Sequence, residues 1–152
     1  MEIGCYLNLS KNYIGEVIDK NLSEDYLEFN KSNFPLSKGV YFVYEKGDKN
    51  LVYIGSATNS FKKRCSQYIS SSNCSFRRKI IKHVLKKSLV KNKNEKSLKE
   101  KDVNKEAVQY IKDNYYLKFL PVDTKTTYSD ILLLERACIS LKNPKFNDKY
   151  EY

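Results

Sequence analysis

Apolar and polar positions divide the chain into short, distinct segments. Gly39 to Tyr44 (GVYFVY) is a β-branched and aromatic run, followed by polar Lys46-Gly47-Asp48-Lys49-Asn50 and a second run, Leu51 to Ile54. Two such runs around a turn-forming segment predict a β-hairpin. Closure around Gly47 makes Tyr41 and Tyr53 direct cross-strand neighbours on one face. A slip of one residue would put them on opposite faces.

Gly55 to Ser60 (GSATNS) then supplies a glycine break and several N-cap candidates, and Phe61, Cys65, Tyr68 and Ile69 recur behind it at helical spacing. Arg64 lies on the Phe61/Tyr68 side of that helix. Ser71 to Asn73 breaks it, and Ser75 can cap a second helix. There Phe76, Ile80 and Val84 face the core, while Arg77, Arg78, Lys79, Lys82, Lys86 and Lys87 face outward. Ser88 to Lys101 has only three apolar residues, Leu89, Val90 and Leu98, and reads as a mobile insertion. Val103 to Asn114 reads as a helix, Tyr115 to Val122 as a strand ended by Pro121, and Tyr128 to Leu141 as an apolar helix. Upstream, Tyr13 to Ile18 suits a strand or a short helix, and Asn33 to Lys38 a lead-in loop.

A length of 152 residues fits one domain with a core that needs no staples. Residues 35–152 read as that domain, with a basic insertion near 88–103; residues 1–34 read as an extension packed on it. The N-terminus lacks a signal peptide's pattern, and no apolar run approaches the about 18 residues of a membrane span, so an intracellular protein without membrane contact is expected. The four cysteines, at 5, 65, 74 and 138, form no CxxC pair. Reduced packing thiols are the simpler reading, and structural zinc is not expected.

The net charge of +10 is concentrated: Lys62 to Lys101 holds 14 Lys/Arg against two acids, and the remaining residues sum to −2. A local cationic surface fits a polyanion, with Lys62, Lys63, Arg77, Arg78, Lys79, Lys82 and Lys86 as candidate nucleic-acid contacts. A membrane surface, an acidic protein or a simply solvated face would satisfy charge alone.

Glu135 stands out because its helical neighbours Ile131, Leu132, Cys138 and Ile139 are all apolar. A carboxylate in such surroundings costs several kcal/mol unless it meets a cation or takes up a proton. A hard divalent ion would satisfy it; so would an ion pair with Arg64. Arg64 follows a strand-to-helix connection whose free amides would favour anions, and a guanidinium there can grip two phosphate oxygens; it could equally belong to a solvated Lys62-Lys63-Arg64 face. Tyr41 and Tyr53 could position and deprotonate a water if a cation eased their ionisation, or simply pack in their strands. His83, the one histidine, has nothing at a suitable spacing to orient it.

These pieces, in this order, resemble the GIY-YIG nucleases. Gly39-Val40-Tyr41 and Tyr53-Ile54-Gly55 are similar to the two naming motifs, and Ser56 to Arg64 resembles the family's connection into its arginine helix with one extra residue. Tyr68 sits where members carry Tyr or His, Glu135 matches the metal-binding glutamate, and Asn147 matches the supporting asparagine of a closing segment, here Asn143-Pro144-Lys145-Phe146-Asn147. Ser56 departs from the pattern, standing where repair-type members often have lysine.

The resemblance implies an α+β fold: a small three-stranded antiparallel sheet flanked by helices, with one Mg²⁺ or Mn²⁺ per site. It implies Tyr41 as general base with Tyr53 helping to hold the water, Arg64 on the phosphate, Tyr68 orienting, Glu135 on the metal and Asn147 supporting the site. The expected partner is DNA, double-stranded, with a homodimer or a separate specificity subunit supplying recognition. The alternative is a non-catalytic nucleic-acid-binding module on the same fold; a tyrosine-nucleophile strand transferase is a third reading. The nuclease reading requires two phenols, a guanidinium and a carboxylate to share one pocket. A carboxylate on the far side of the sheet from the aromatic hydroxyls would end it.

Overall fold

The computed structural model describes residues 3–70, 74–86 and 96–147, with side chains over 11–70, 74–86 and 101–147. The elements in chain order are α1 (Ile3–Asn21), β1 (Leu27–Glu28), a 3-10 turn (Lys31–Asn33), β2 (Gly39–Glu45), β3 (Leu51–Ala57), α2 (Phe61–Ser66), α3 (Ser75–His83), α4 (Lys96–Asn114), β4 (Tyr115–Pro121) and α5 (Tyr128–Lys142). All strands pair antiparallel in the order β1-β4-β2-β3, so the sheet has four strands where three are expected. The extra one is a two-residue pairing of Leu27 and Glu28 with Leu117 and Tyr116, too short for an apolar period to reveal.

Strand β2 lies between β4 and β3 and is buried on both faces from Gly39 to Val43. That accounts for its continuous apolar run, since alternation appears only where one face meets water. Tyr41 and Val43 belong to an aromatic layer with Tyr53, Phe61, Tyr68, Phe76 and Ile80. Val40, Phe42 and Ile54 point the other way, into a layer closed by Ile18 of α1 and by Cys138 and Ile139 of α5. Burying each of these large side chains contributes about 1.5–3 kcal/mol, so both layers are needed to hold β2.

The hairpin closes in a different register from the one expected. Tyr41 pairs with Gly55, and Val43 pairs with Tyr53, with a bulge between Val43 and Tyr44. The turn is set by Lys49, whose φ of 55° is left-handed, rather than by Gly47. A two-residue shift preserves facing, so the two phenols remain on one face as diagonal neighbours, ring centroids 6.5 Å apart. Gly39 has a φ of +154° and presses on the Leu120 carbonyl and the Phe61 ring, a place for glycine alone.

The helices bring further differences. Tyr13 to Ile18 is part of the long helix α1. Helix α4 begins at Lys96, so the last residues of the expected insertion are helical; Lys87 and residues 88–95 lie outside the described residues, as does the break at 71–73. Cys74, not Ser75, occupies the N-cap of α3 and makes no side-chain cap bond. The Phe76 and Ile80 stripe is buried as its spacing predicts, with Val84 packed against it. Arg77, expected on the outer face, is buried at 1% exposure. At the other end of the chain, Asn143 caps α5 with φ 46°, and its N–H donates to the Ile139 carbonyl at 2.8 Å. The chain then runs along the open edge of β3, where the Phe146 N–H donates to the Val52 carbonyl at 2.8 Å.

Candidate active site

Strand β3 delivers Tyr53 to the aromatic layer and Ser56, by the period of two, to the layer of α5. The loop after it is fixed by Ser60, whose hydroxyl accepts the Lys63 N–H at 3.0 Å. The preceding amides are also engaged: Phe61 N–H donates to the Ser37 carbonyl at 2.8 Å and Lys62 N–H to the Pro35 carbonyl at 2.9 Å. The first three amides of α2 are therefore engaged within the fold.

Arg64 projects from α2, half-buried. Its Nη1 donates to Gln67 Oε1 at 3.0 Å, and its guanidinium stands 5.9 Å from the Tyr68 ring centroid. Its Nε is buried without a partner among the described residues. Burial works against its charge and is outweighed by the phenols of Tyr41, Tyr68 and Tyr53, so it stays a cation. The ion pair with Glu135, one of the two readings of that residue, is not what Arg64 forms; its Nη1 is bonded to Gln67.

Tyr41 and Tyr68 are both fully buried, and their hydroxyls are hydrogen-bonded to each other. Burial pushes both phenols well up, with Arg64 pulling the other way. Tyr53 retains 8% exposure. Its phenol is pushed up to about 12, first by burial and next by the negative charge of Glu135, while Arg64 and a Ser75 hydrogen bond oppose the rise. Ser75 thus serves Tyr53 rather than its helix end.

Glu135 stands on α5, the helix of the opposite layer. Helix α5 packs on the Val40/Phe42/Ile54 face, yet the Ser56 hydroxyl donates to Glu135 Oε2 at 2.9 Å at the end of the edge strand. The carboxylate's negative charge raises the Tyr53 pKa, and the charge of Arg64 lowers its own. Burial raises its pKa; Ser56, Arg64 and Arg136 only partly offset it. A half-buried carboxylate, bonded through Oε2 to a neutral hydroxyl, suits a hard divalent cation. No group of three or more His, Cys, Asp or Glu side chains exists among the described residues, so such an ion would depend on Glu135 plus substrate and water oxygens.

A cleft of about 380 Å³ opens at this edge. Ser60, Lys63, Arg64 and Gln67 line it from the α2 side, Tyr128 and Leu132 from α5, and Ser56 from β3. Asn147 stabilises the same strand: its Nδ2 donates to the Ile54 carbonyl at 2.8 Å and its Oδ1 accepts the Ile54 N–H at 2.7 Å. It acts on the backbone between Tyr53 and Gly55, not on the cleft.

Of the basic candidates, Lys62, Lys63, Arg78, Lys82 and Lys86 are exposed and Lys79 is half-buried. Arg77 turns inward; its Nη2 donates to the Gln67 carbonyl, and burial lowers its pKa. His83 stacks on Phe146 at 6.5 Å, and Cys65, Cys74 and Cys138 are buried free thiols. Two participants, Gln67 and Ser56, were missed in the sequence, and Arg77 was placed on the wrong face. Gln67 is three residues past Arg64, a helical pairing distance that could have flagged it. Ser56 follows from strand alternation opposite α5. Nothing in the pattern marks Arg77.

The GIY-YIG catalytic domain family matches residues 26–149, which takes in both strands of the hairpin, the arginine helix and the glutamate helix. No curated protein and no solved structure gives a significant match. With most of its length inside that match, this chain belongs to the GIY-YIG nuclease family.

Proposed function

We propose that the protein is a divalent-metal-dependent endonuclease that hydrolyses phosphodiester bonds of DNA. The observation that carries this reading is that Arg64 of α2 and Ser56 of β3 line one cleft, and the Ser56 hydroxyl donates to Glu135 Oε2 of α5 at 2.9 Å. Arg64 and Lys63 would hold the phosphate, the guanidinium countering the charge that builds on phosphorus oxygens in the transition state. Mg²⁺ or Mn²⁺ held by Glu135 would polarise a phosphate oxygen and a water.

Tyr53, rather than the fully buried Tyr41, is the better candidate to take the proton of the attacking water. It keeps some exposure, whereas the Tyr41 hydroxyl is fully buried and bonded to Tyr68, and part of the rise in the Tyr53 pKa comes from Glu135. Neutralising that carboxylate therefore eases Tyr53 toward the phenolate. Tyr41 and Tyr68 orient Arg64 from beneath. Water oxygen bonds to phosphorus, the bond to the leaving oxygen breaks, and no covalent enzyme intermediate forms. Exposed Lys62, Arg78, Lys82 and Lys86 would track flanking phosphates and give salt-dependent affinity. An intracellular setting and a partner subunit or second copy for recognition belong to the same proposal.

Plasmid DNA incubated with the protein and Mg²⁺ or Mn²⁺ tests it. Nicking or cutting should require the metal, stop with EDTA and disappear in Arg64→Ala and Glu135→Gln while filter retention of DNA persists. Binding without cleavage in any metal would favour the non-catalytic module, and a covalent protein–DNA adduct would favour the transferase.

A further inference from the structure

The two walls of the cleft differ in kind. Lys63, Arg64 and Gln67 make one side cationic and polar, whereas Tyr128 and Leu132 make the other aromatic and aliphatic. Tyr128 is the first residue of α5 and is 64% exposed, an unusual position for a large ring. Leu132 and Glu135 follow it at four and seven residues, so all three lie on one stripe of the helix. The stripe runs about 10 Å from Tyr128 to Glu135.

Resting on the nuclease reading above, we infer that Tyr128 is a stacking platform for an unstacked nucleobase next to the scissile phosphate. A nucleotide has the same division as the cleft, anionic at the phosphate and flat and weakly polar at the base. With its phosphate on Arg64 and Lys63, the neighbouring base falls toward the aromatic wall. In an intact duplex each base face is covered by its neighbours, so this ring is available only to a single-stranded, frayed or flipped nucleotide. The preferred substrate is therefore a strand with an unpaired nucleotide at the cut. Leu132 packs beside the ring and excludes water from the stacked base.

The chain has no tryptophan, so Tyr128→Trp places a single fluorophore at the proposed contact. The full-length variant in EDTA is titrated with a ten-nucleotide oligothymidylate, with an abasic strand of equal charge and with a blunt duplex. Emission should be quenched by the oligothymidylate and not by the other two. In parallel, Tyr128→Ala should weaken oligothymidylate binding about tenfold and leave binding of the abasic strand within about twofold, while Tyr128→Phe restores it. Equal affinity of the unsubstituted protein for the base-bearing and abasic strands would overturn the inference, as would quenching by the duplex or absence of binding to any strand. Because metal and cleavage play no part, quenching without metal-dependent cleavage of either plasmid or a strand carrying an unpaired nucleotide would sink the nuclease reading and leave the stacking site standing. Cleavage without quenching would do the reverse.

Discussion

The phenol of Tyr41 lies directly over Gly55, its partner across the hairpin, in the space a side chain there would need. The glycine of the second motif and the tyrosine of the first are thus one packing unit. Gly55→Ala should destabilise the fold by about 1–3 kcal/mol, the usual range for overpacking, and should disturb the Tyr41–Tyr68 hydrogen bond. Tyr41→Phe should not rescue it, because ring carbons as well as the hydroxyl occupy the space. Tyr41→Leu in the Gly55→Ala background should recover part of the loss. Urea denaturation of the four proteins measures this.

That packing unit also shows how far the sequence could be read. The two tyrosine runs, the polar turn and the apolar stripe of α5 specified the hairpin, its facing and the last helix, because burial imposes those periods. Register was not legible: a left-handed Lys49 and a bulge after Val43 set it, and neither leaves a compositional mark. Arg64 and Glu135 stood out as charges among apolar neighbours. Their partners Gln67 and Ser56 did not, since small and amide side chains look alike in loops and helices until a tertiary neighbour is known. Arg77 was misread for the converse reason: in a run of basic residues, sequence cannot tell which cation turns inward.

Glu135 predicts an exchange of stability for function. Burial raises its pKa, so the fold without metal favours the protonated carboxyl. Its stabilising contribution is complete below the unfolded value of roughly 4.3 and is lost as pH rises through the folded value. Glu135→Gln should therefore melt higher than the unsubstituted protein at pH 7–8, with the difference vanishing at about pH 4 or below. Mg²⁺ or Mn²⁺ should raise the melting temperature of the unsubstituted protein alone. Paired thermal melts across pH, with and without metal, check both statements.

Arg77 predicts the separation of position from stability. It holds the Gln67 carbonyl, and Gln67 in turn holds Arg64 Nη1, while two of its own nitrogens are buried without partners among the described residues. Arg77→Met removes a desolvated charge at similar length, so urea stability should change by no more than about 1.5 kcal/mol. The cleavage rate constant should nonetheless fall by at least about tenfold, with little change in KM, as Arg64 loses its aim. Unchanged cleavage, or a loss that simply follows unfolding, would assign Arg77 to packing alone.

The central claim is that Glu135, tied to β3 through Ser56, acts electrostatically on Tyr53 although α5 and the phenols occupy opposite layers. Protein labelled with ¹³C at the tyrosine ring carbon bearing the hydroxyl, its Tyr53 signal assigned by Tyr53→Phe, can be titrated with substoichiometric Mn²⁺. The account predicts that the Tyr53 signal broadens before those of Tyr26 and Tyr116, and that Glu135→Gln abolishes the effect. A sharp Tyr53 signal, or broadening that survives Glu135→Gln, would contradict it.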